Sequence, residues 1–113
     1  EDEILASLKH VRPGRGYEPK FPLSHKIEVN GAGADPIFKF LRSELPFPAD
    51  CHSDACDIVG DSMKIQWAPV TRTDVAWNFE KFIIDPSGKP VKRYSPKLPF
   101  PDMIPDIEAL LEQ

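Results

Sequence analysis

Residues 79–94 constrain the fold of this chain more than any other stretch. Phe79-Glu80-Lys81-Phe82-Ile83-Ile84 is aromatic and β-branched, with Lys81 the one interior charge after Glu80, and reads as a buried strand. Asp85-Pro86-Ser87-Gly88 follows it with type I turn chemistry, Pro second and Gly fourth. Val91 to Tyr94 then reads as the returning antiparallel strand of a hairpin.

Helices are expected on either side of that hairpin in sequence. Ile4, Leu5 and Leu8 form an apolar stripe behind an acidic first turn, in a helix that ends near His10. Asp35-Pro36 opens a second helix, with Asp as N-cap and Pro in the first turn, and Ile37, Phe38, Leu41 and Leu45 fall on its core side. Pro46 and Pro48 stop it. Pro105 to Leu111 makes a closing helix, with Ile104, Ile107, Leu110 and Leu111 as its buried stripe. Between the first two helices, Val11 to Pro19 is a loop carrying Arg12 and Arg15. Phe21-Pro22-Leu23 is a short edge-type extended piece, which Ile27 to Val29 continues after a break. Asn30-Gly31-Ala32-Gly33 is turn chemistry. Residues 49–63 are a polar connection of a length that is usually functional, an interface or mobile, and residues 64–70 alternate briefly. The element order fits an α/β sheet covered by helices, as half or two-thirds of such a sheet.

A chain of 113 residues holds one domain. A net charge of −4 argues against general nucleic-acid or anionic-membrane binding, both of which need a basic surface. No apolar run approaches the ~20 residues of a membrane span. The sequence opens on Glu1 with an amphipathic helix and no initiator Met, so it is expected to be the C-terminal part of a longer protein.

The chemistry concentrates at the head of the hairpin, in Asp74-Val75-Ala76-Trp77-Asn78. Trp77 offers an indole N–H donor, and Asn78 a carboxamide with two donors and one acceptor. Adjacent donors at a sheet rim can converge on one anion. Residue types alone favour another reading, in which Trp77 fills the core and Asn78 caps a turn. Cys51, His52 and Cys56 give two thiols and one imidazole with no second pair, where zinc wants four ligands, so no metal is expected; a disulfide between the two cysteines is geometrically open. Asp50, Asp54, Asp57 and Asp61 surround those thiols and disfavour the thiolate, which speaks against either as a nucleophile. Pro13-Gly14-Arg15-Gly16 lacks the helix start of a dinucleotide loop, and His10, His25 and His52 suggest no triad. Arg12, Arg15, Lys92, Arg93 and Lys97 read singly as solvated surface residues. Grouped beside a Trp-Asn pair, they would suit a small carboxylate ligand.

Three separated motifs carry a family likeness. Trp77-Asn78-Phe79-Glu80-Lys81-Phe82 followed by Pro86-Ser87-Gly88-Lys89-Pro90-Val91 resembles the C-terminal signature of glutathione peroxidases. Lys26-Ile27-Glu28-Val29-Asn30-Gly31 resembles an earlier block, and Pro105 to Leu111 the closing helix of the cytosolic, glutathione-using branch. The likeness runs without a gap from Glu1 to Gln113.

The resemblance implies the C-terminal portion of a thioredoxin-like fold, a partial domain over residues 1–113. It implies reduction of hydrogen peroxide and organic hydroperoxides by glutathione, in response to oxidative stress. In the family a selenocysteine or cysteine attacks the peroxide, and two glutathiones restore it. A tetrad of chalcogen, Gln, Trp and Asn surrounds the reaction, and Trp77 and Asn78 match its last two members. That reverses the packing reading of the pair. The nucleophile and the Gln would lie upstream, so no cofactor is expected here. The chain alone is expected to be inactive and to fold poorly. The absence of a cysteine from Leu8 to Gly16, where thioredoxin-using members carry one, favours glutathione as reductant. Residues 49–63 resemble an insertion of tetrameric members, which implies a homotetramer. Arg12, Lys92 and Arg93 match basic glutathione-binding positions. Pro96 and Lys97 stand where members often carry two arginines, a departure in that part of the site. The branch is cytoplasmic, with secretion as the alternative. The competing expectation is a truncated, non-catalytic thioredoxin-like module that binds partner subunits.

Overall fold

A computed structural model describes residues 2–50, 63 and 65–112. The cysteine loop, with Cys51, His52 and Cys56, lies outside the described residues. In chain order the described elements are α1 (Asp2–His10), α2 (Pro36–Glu44), β1 (Lys81–Ile84), β2 (Pro90–Tyr94), a 3₁₀ turn (Phe100–Met103) and α3 (Ile104–Leu111).

The hairpin forms for the local reason its sequence gives. Gly88 donates its N–H to the Asp85 carbonyl at 2.9 Å and adopts φ of 91°, a left-handed conformation that glycine reaches without a Cβ penalty. The Asp85 carboxylate accepts from the Ser87 and Lys89 N–H groups, each at 2.9 Å, and from the Ser87 hydroxyl. The strands are antiparallel, with Lys81 opposite Tyr94, Phe82 opposite Arg93 and Ile83 opposite Lys92, and a bulge follows at Ile83/Ile84.

Side chains alternate across a strand, so this register sorts them onto two faces. One face holds Ile83 and Tyr94, which join Met103 in a small core flanked by Leu98, Ile107 and Leu110. Asp106 of α3 fastens that face through the Lys92 ammonium at 3.0 Å and the Tyr94 hydroxyl. Lys81 turns inward there and donates to the Leu98 carbonyl at 2.9 Å. The other face holds Phe82 and Arg93. The Phe38 ring of α2 meets Phe82 edge-on at 5.9 Å, and the Arg93 guanidinium lies 5.2 Å from the Phe82 centroid. The hairpin is thus gripped by α3 on one face and α2 on the other.

Several expectations change. β1 starts at Lys81 rather than Phe79, because Phe79 adopts φ of 71°, outside the range of any strand. Residues 21–23, 27–29 and 65–70 pair in no ladder among the described residues, so the strand expected before α2 is absent there. α2 does begin as expected, with the Asp35 carboxylate accepting from the Ile37 N–H at 2.9 Å. Of its predicted stripe only Leu41 is buried, and Ile37 is 62% exposed. α3 buries Ile107 and Leu110 in part, while Ile104 and Leu111 face solvent. α1 fully buries none of its residues: Ile4 and Leu5 of its apolar stripe are exposed and Leu8 is half-buried.

Candidate functional site

The segment leading into Trp77 is held from several directions. Its anchor is Asp74, 1% exposed. The Asp74 carboxylate accepts from the Arg42 guanidinium at 2.8 Å, the Trp67 indole at 2.7 Å, and the Thr71 N–H and hydroxyl at 2.9 Å each. A buried carboxylate is tolerated when its charge is matched and its lone pairs are used, and here both conditions hold. Arg42 projects from α2 and also donates to the carbonyls of Val29 at 3.1 Å and Thr73 at 3.2 Å. The next residue is clamped by an amide. Asn30 donates to the Val75 carbonyl at 2.8 Å and accepts the Val75 N–H at 2.7 Å. One side chain thereby satisfies both polar groups of one backbone residue.

Arg93 closes the base from β2. It is 1% exposed, not the solvated surface residue the sequence suggested. Its guanidinium donates to the carbonyls of Leu45, Pro46, Thr73 and Asp74 at 2.9–3.1 Å and to the Glu80 carboxylate at 3.2 Å. Glu80 lies beyond Trp77 in the chain and its side chain is equally buried. Burial pushes the Glu80 carboxyl above its ordinary value, against the pull of Arg93 and a hydrogen bond from the Ala76 backbone. The chain is therefore pinned at Thr73–Val75 on one side of the turn and at Glu80 on the other.

Between these pins, Trp77, Asn78 and Phe79 project. Trp77 is 68% exposed and Asn78 is exposed as well. The core-filling reading of Trp77 fails here. Among the described residues, neither the indole N–H nor the Asn78 carboxamide is committed to a hydrogen bond. The Phe79 ring meets Trp77 edge-on at 6.1 Å and 75°. This arrangement offers two neighbouring donors to an anion or to an oxygen gaining charge, on a base that does not have to reorganise.

The remaining predicted site residues are placed differently. Lys92 is half-buried and its ammonium is bound to Asp106. Arg12 is exposed just beyond α1, where its N–H donates to the Ser7 carbonyl. No hydrogen bond or ion pair among the described residues joins Arg12, Lys92 or Arg93 to Trp77 or Asn78. No group of metal-ligating side chains occurs among the described residues. Sequence reasoning missed Asn30, Arg42, Asp74 and Glu80. The local signal at Asp74 is Thr71 three residues earlier, a spacing at which hydroxyl, amide and carboxylate close on one another. For the others the partners are 13 to 45 residues away, beyond the reach of a local pattern.

Residues 1–42 match the family model described as glutathione peroxidase. The chain is 58% identical over 112 residues to glutathione peroxidase 1 of Macaca fuscata fuscata, an alignment covering 99% of this chain and 54% of that protein. It is 57% identical over 112 residues to glutathione peroxidase 1 of Hylobates lar, with the same coverage. A glutathione peroxidase of Molluscum contagiosum virus subtype 1 is 57% identical over 109 residues, covering 96% of this chain and 48% of the viral protein. The chain spans about half the length of the curated relatives it matches.

Proposed function

Because this chain belongs to the glutathione peroxidase family, we propose that it forms the C-terminal part of an enzyme that reduces hydrogen peroxide and organic hydroperoxides with glutathione. The observation that carries the proposal is the pair of exposed, uncommitted donors at Trp77 and Asn78, set on a buried hydrogen-bonded base.

In this reading Trp77 and Asn78 act where charge develops. A selenolate or thiolate from the half of the protein not spanned here attacks one peroxide oxygen, and the O–O bond breaks. The other oxygen leaves with the electron pair and takes a proton, giving water or an alcohol. Before the attack the indole N–H and the carboxamide favour the anionic nucleophile. During it they donate to the oxygen gaining charge. Two glutathione thiols then supply two electrons and two protons, which release the bound oxygen as water, form glutathione disulfide and restore the nucleophile.

Arg12 is an exposed cation that suits a glutathione carboxylate, whereas the Lys92 ammonium, matched to the same family site, is already paired with Asp106. Arg93 enters as a positioning residue instead, since its guanidinium is spent on backbone carbonyls and Glu80. The thioredoxin-like fold, the homotetramer and a cytoplasmic location belong to the same proposal and rest on the family likeness. Among the described residues no helix is long and apolar enough to cross a membrane.

The test is kinetic and uses the intact protein. Replacing Asn78→Ala slows oxidation of the reduced enzyme by hydroperoxide by roughly a hundredfold, the usual cost of one oxyanion donor. Replacing Arg12→Ala leaves that step alone and weakens the glutathione half-reaction, seen as a higher glutathione concentration at half-maximal rate. An Asn78→Ala enzyme that reacts with peroxide at the parent rate removes the proposal.

A further inference from the structure

Phe79 has two unfavourable features that nothing in the hairpin requires. Its φ of 71° is left-handed, a conformation that a bulky aromatic residue rarely adopts. Its ring is also 71% exposed, so burial offsets none of that strain. Strain of this kind persists where surrounding structure enforces it, and it concentrates at functional positions. Here the surrounding structure is identifiable. Glu80, the next residue, is locked to Arg93, while Val75 is locked to Asn30. The chain must turn between the two pins. The left-handed residue between Asn78 and Glu80 accompanies a tip in which Trp77 and Phe79 stand together, their rings 6.1 Å apart and nearly perpendicular. That edge contact is the one ring interaction Phe79 makes among the described residues.

We infer that Phe79 is a positioning residue for Trp77: its phenyl ring, held out by the left-handed backbone, fixes the plane of the indole and so the direction of its N–H. An indole on an exposed loop would otherwise sample several rotamers, and a donor that must reorient loses the advantage of preorganisation. The inference rests on the donor role given to Trp77 above and extends it to a residue that touches no reacting atom.

Four variants of the intact protein, compared with Trp77→Phe alone, separate the ring from the backbone and from Trp77 itself. Phe79→Leu keeps a bulky side chain and loses the aromatic edge. Phe79→Gly removes the ring and relaxes the backbone. Phe79→Tyr keeps both. The fourth combines Phe79→Leu with Trp77→Phe. The readouts are the rate of peroxide oxidation of the reduced enzyme and the pH dependence of alkylation of its nucleophile. Phe79→Leu and Phe79→Gly each slow peroxide oxidation by roughly fivefold, the scale of one aromatic edge contact. Both also shift the alkylation profile to higher pH, as a less well stabilised anion requires. Phe79→Tyr restores the parent values. In the Trp77→Phe background Phe79→Leu adds nothing, because the group it orients is gone. A general loss of structure would also move the alkylation profile, but it would not vanish in the second background. The inference is overturned if Phe79→Leu or Phe79→Gly matches the parent while Trp77→Phe is slow, or if the two substitutions multiply. A Trp77→Phe enzyme of parent rate instead removes the donor role beneath it.

Discussion

Two neighbouring stretches of this chain have opposite physics. Thr73, Asp74 and Val75 are held by side chains from α2, β2 and the Asn30 turn, and Asp74 is buried with both carboxylate oxygens engaged. Trp77, Asn78 and Phe79 begin two residues later and face solvent. The first stretch spends its polar groups on the protein, and the second keeps them available. The lesson concerns how a reactive tip is made rigid without being buried. The rigidity is placed in the flanking residues, on both sides of the tip, where hydrogen bonds in a low-dielectric setting are strongest. Stability and reactivity should then separate by residue, and substitutions can test that separation.

The largest effect belongs to Asp74. Asp74→Ala strands the Arg42 guanidinium and the Trp67 indole, and it should cost about 3–5 kcal/mol in denaturant unfolding of the intact protein. A loss below about 1 kcal/mol would show that the base is not the anchor described here. Asn30→Ala comes next. It leaves the Val75 N–H and carbonyl without their partner, a cost of about 1–3 kcal/mol by the same measurement.

The smallest effect is a pH slope, and it arises at the opposite face of the hairpin. The Tyr94 hydroxyl and then the Lys92 ammonium hold the Asp106 carboxyl below its ordinary value of 3.8. As pH falls, the unfolded chain takes up this proton first, so the stability tied to Asp106 is complete above about 3.8 and drains away below it. Asp106→Asn should therefore flatten the acid limb of a stability profile. Glu80 runs the other way. Burial raises its carboxyl above 4.5, so its contribution is fullest below 4.5 and declines as pH rises through the higher folded value. Glu80→Gln should remove a decline on the rising side, where Asp106→Asn removes one on the falling side.

What could be read from the sequence follows the range of the interaction. The hairpin turn was legible because Asp85, Ser87, Gly88 and Lys89 satisfy one another within five residues. The start of α2 was legible for the same reason, in Asp35 and Ile37. The family motifs pointed to Trp77 and Asn78, and the structure leaves both donors exposed. Arg93 was misread as a solvated cation because its carbonyl partners come from residues 45, 46, 73 and 74, which no local pattern links to it. Phe79 was misread as strand because its residue type suits a strand. Its backbone is set instead by pins at Val75 and Glu80, whose partners are Asn30 and Arg93. The stripes of α1 and α2 were legible as stripes, yet α2 buries only Leu41 fully and leaves Ile37 exposed, and α1 leaves Ile4 and Leu5 exposed with Leu8 half-buried.

One substitution addresses the separation of tip from base. In the intact protein, Trp77→Phe replaces an exposed indole with a phenyl ring and takes its N–H donor away. The rate of peroxide oxidation of the reduced enzyme should fall by about a hundredfold, while the denaturant midpoint of the same sample stays within about 0.5 kcal/mol of the parent. A parent-like rate, or a loss of rate matched by an equal loss of stability, would contradict it.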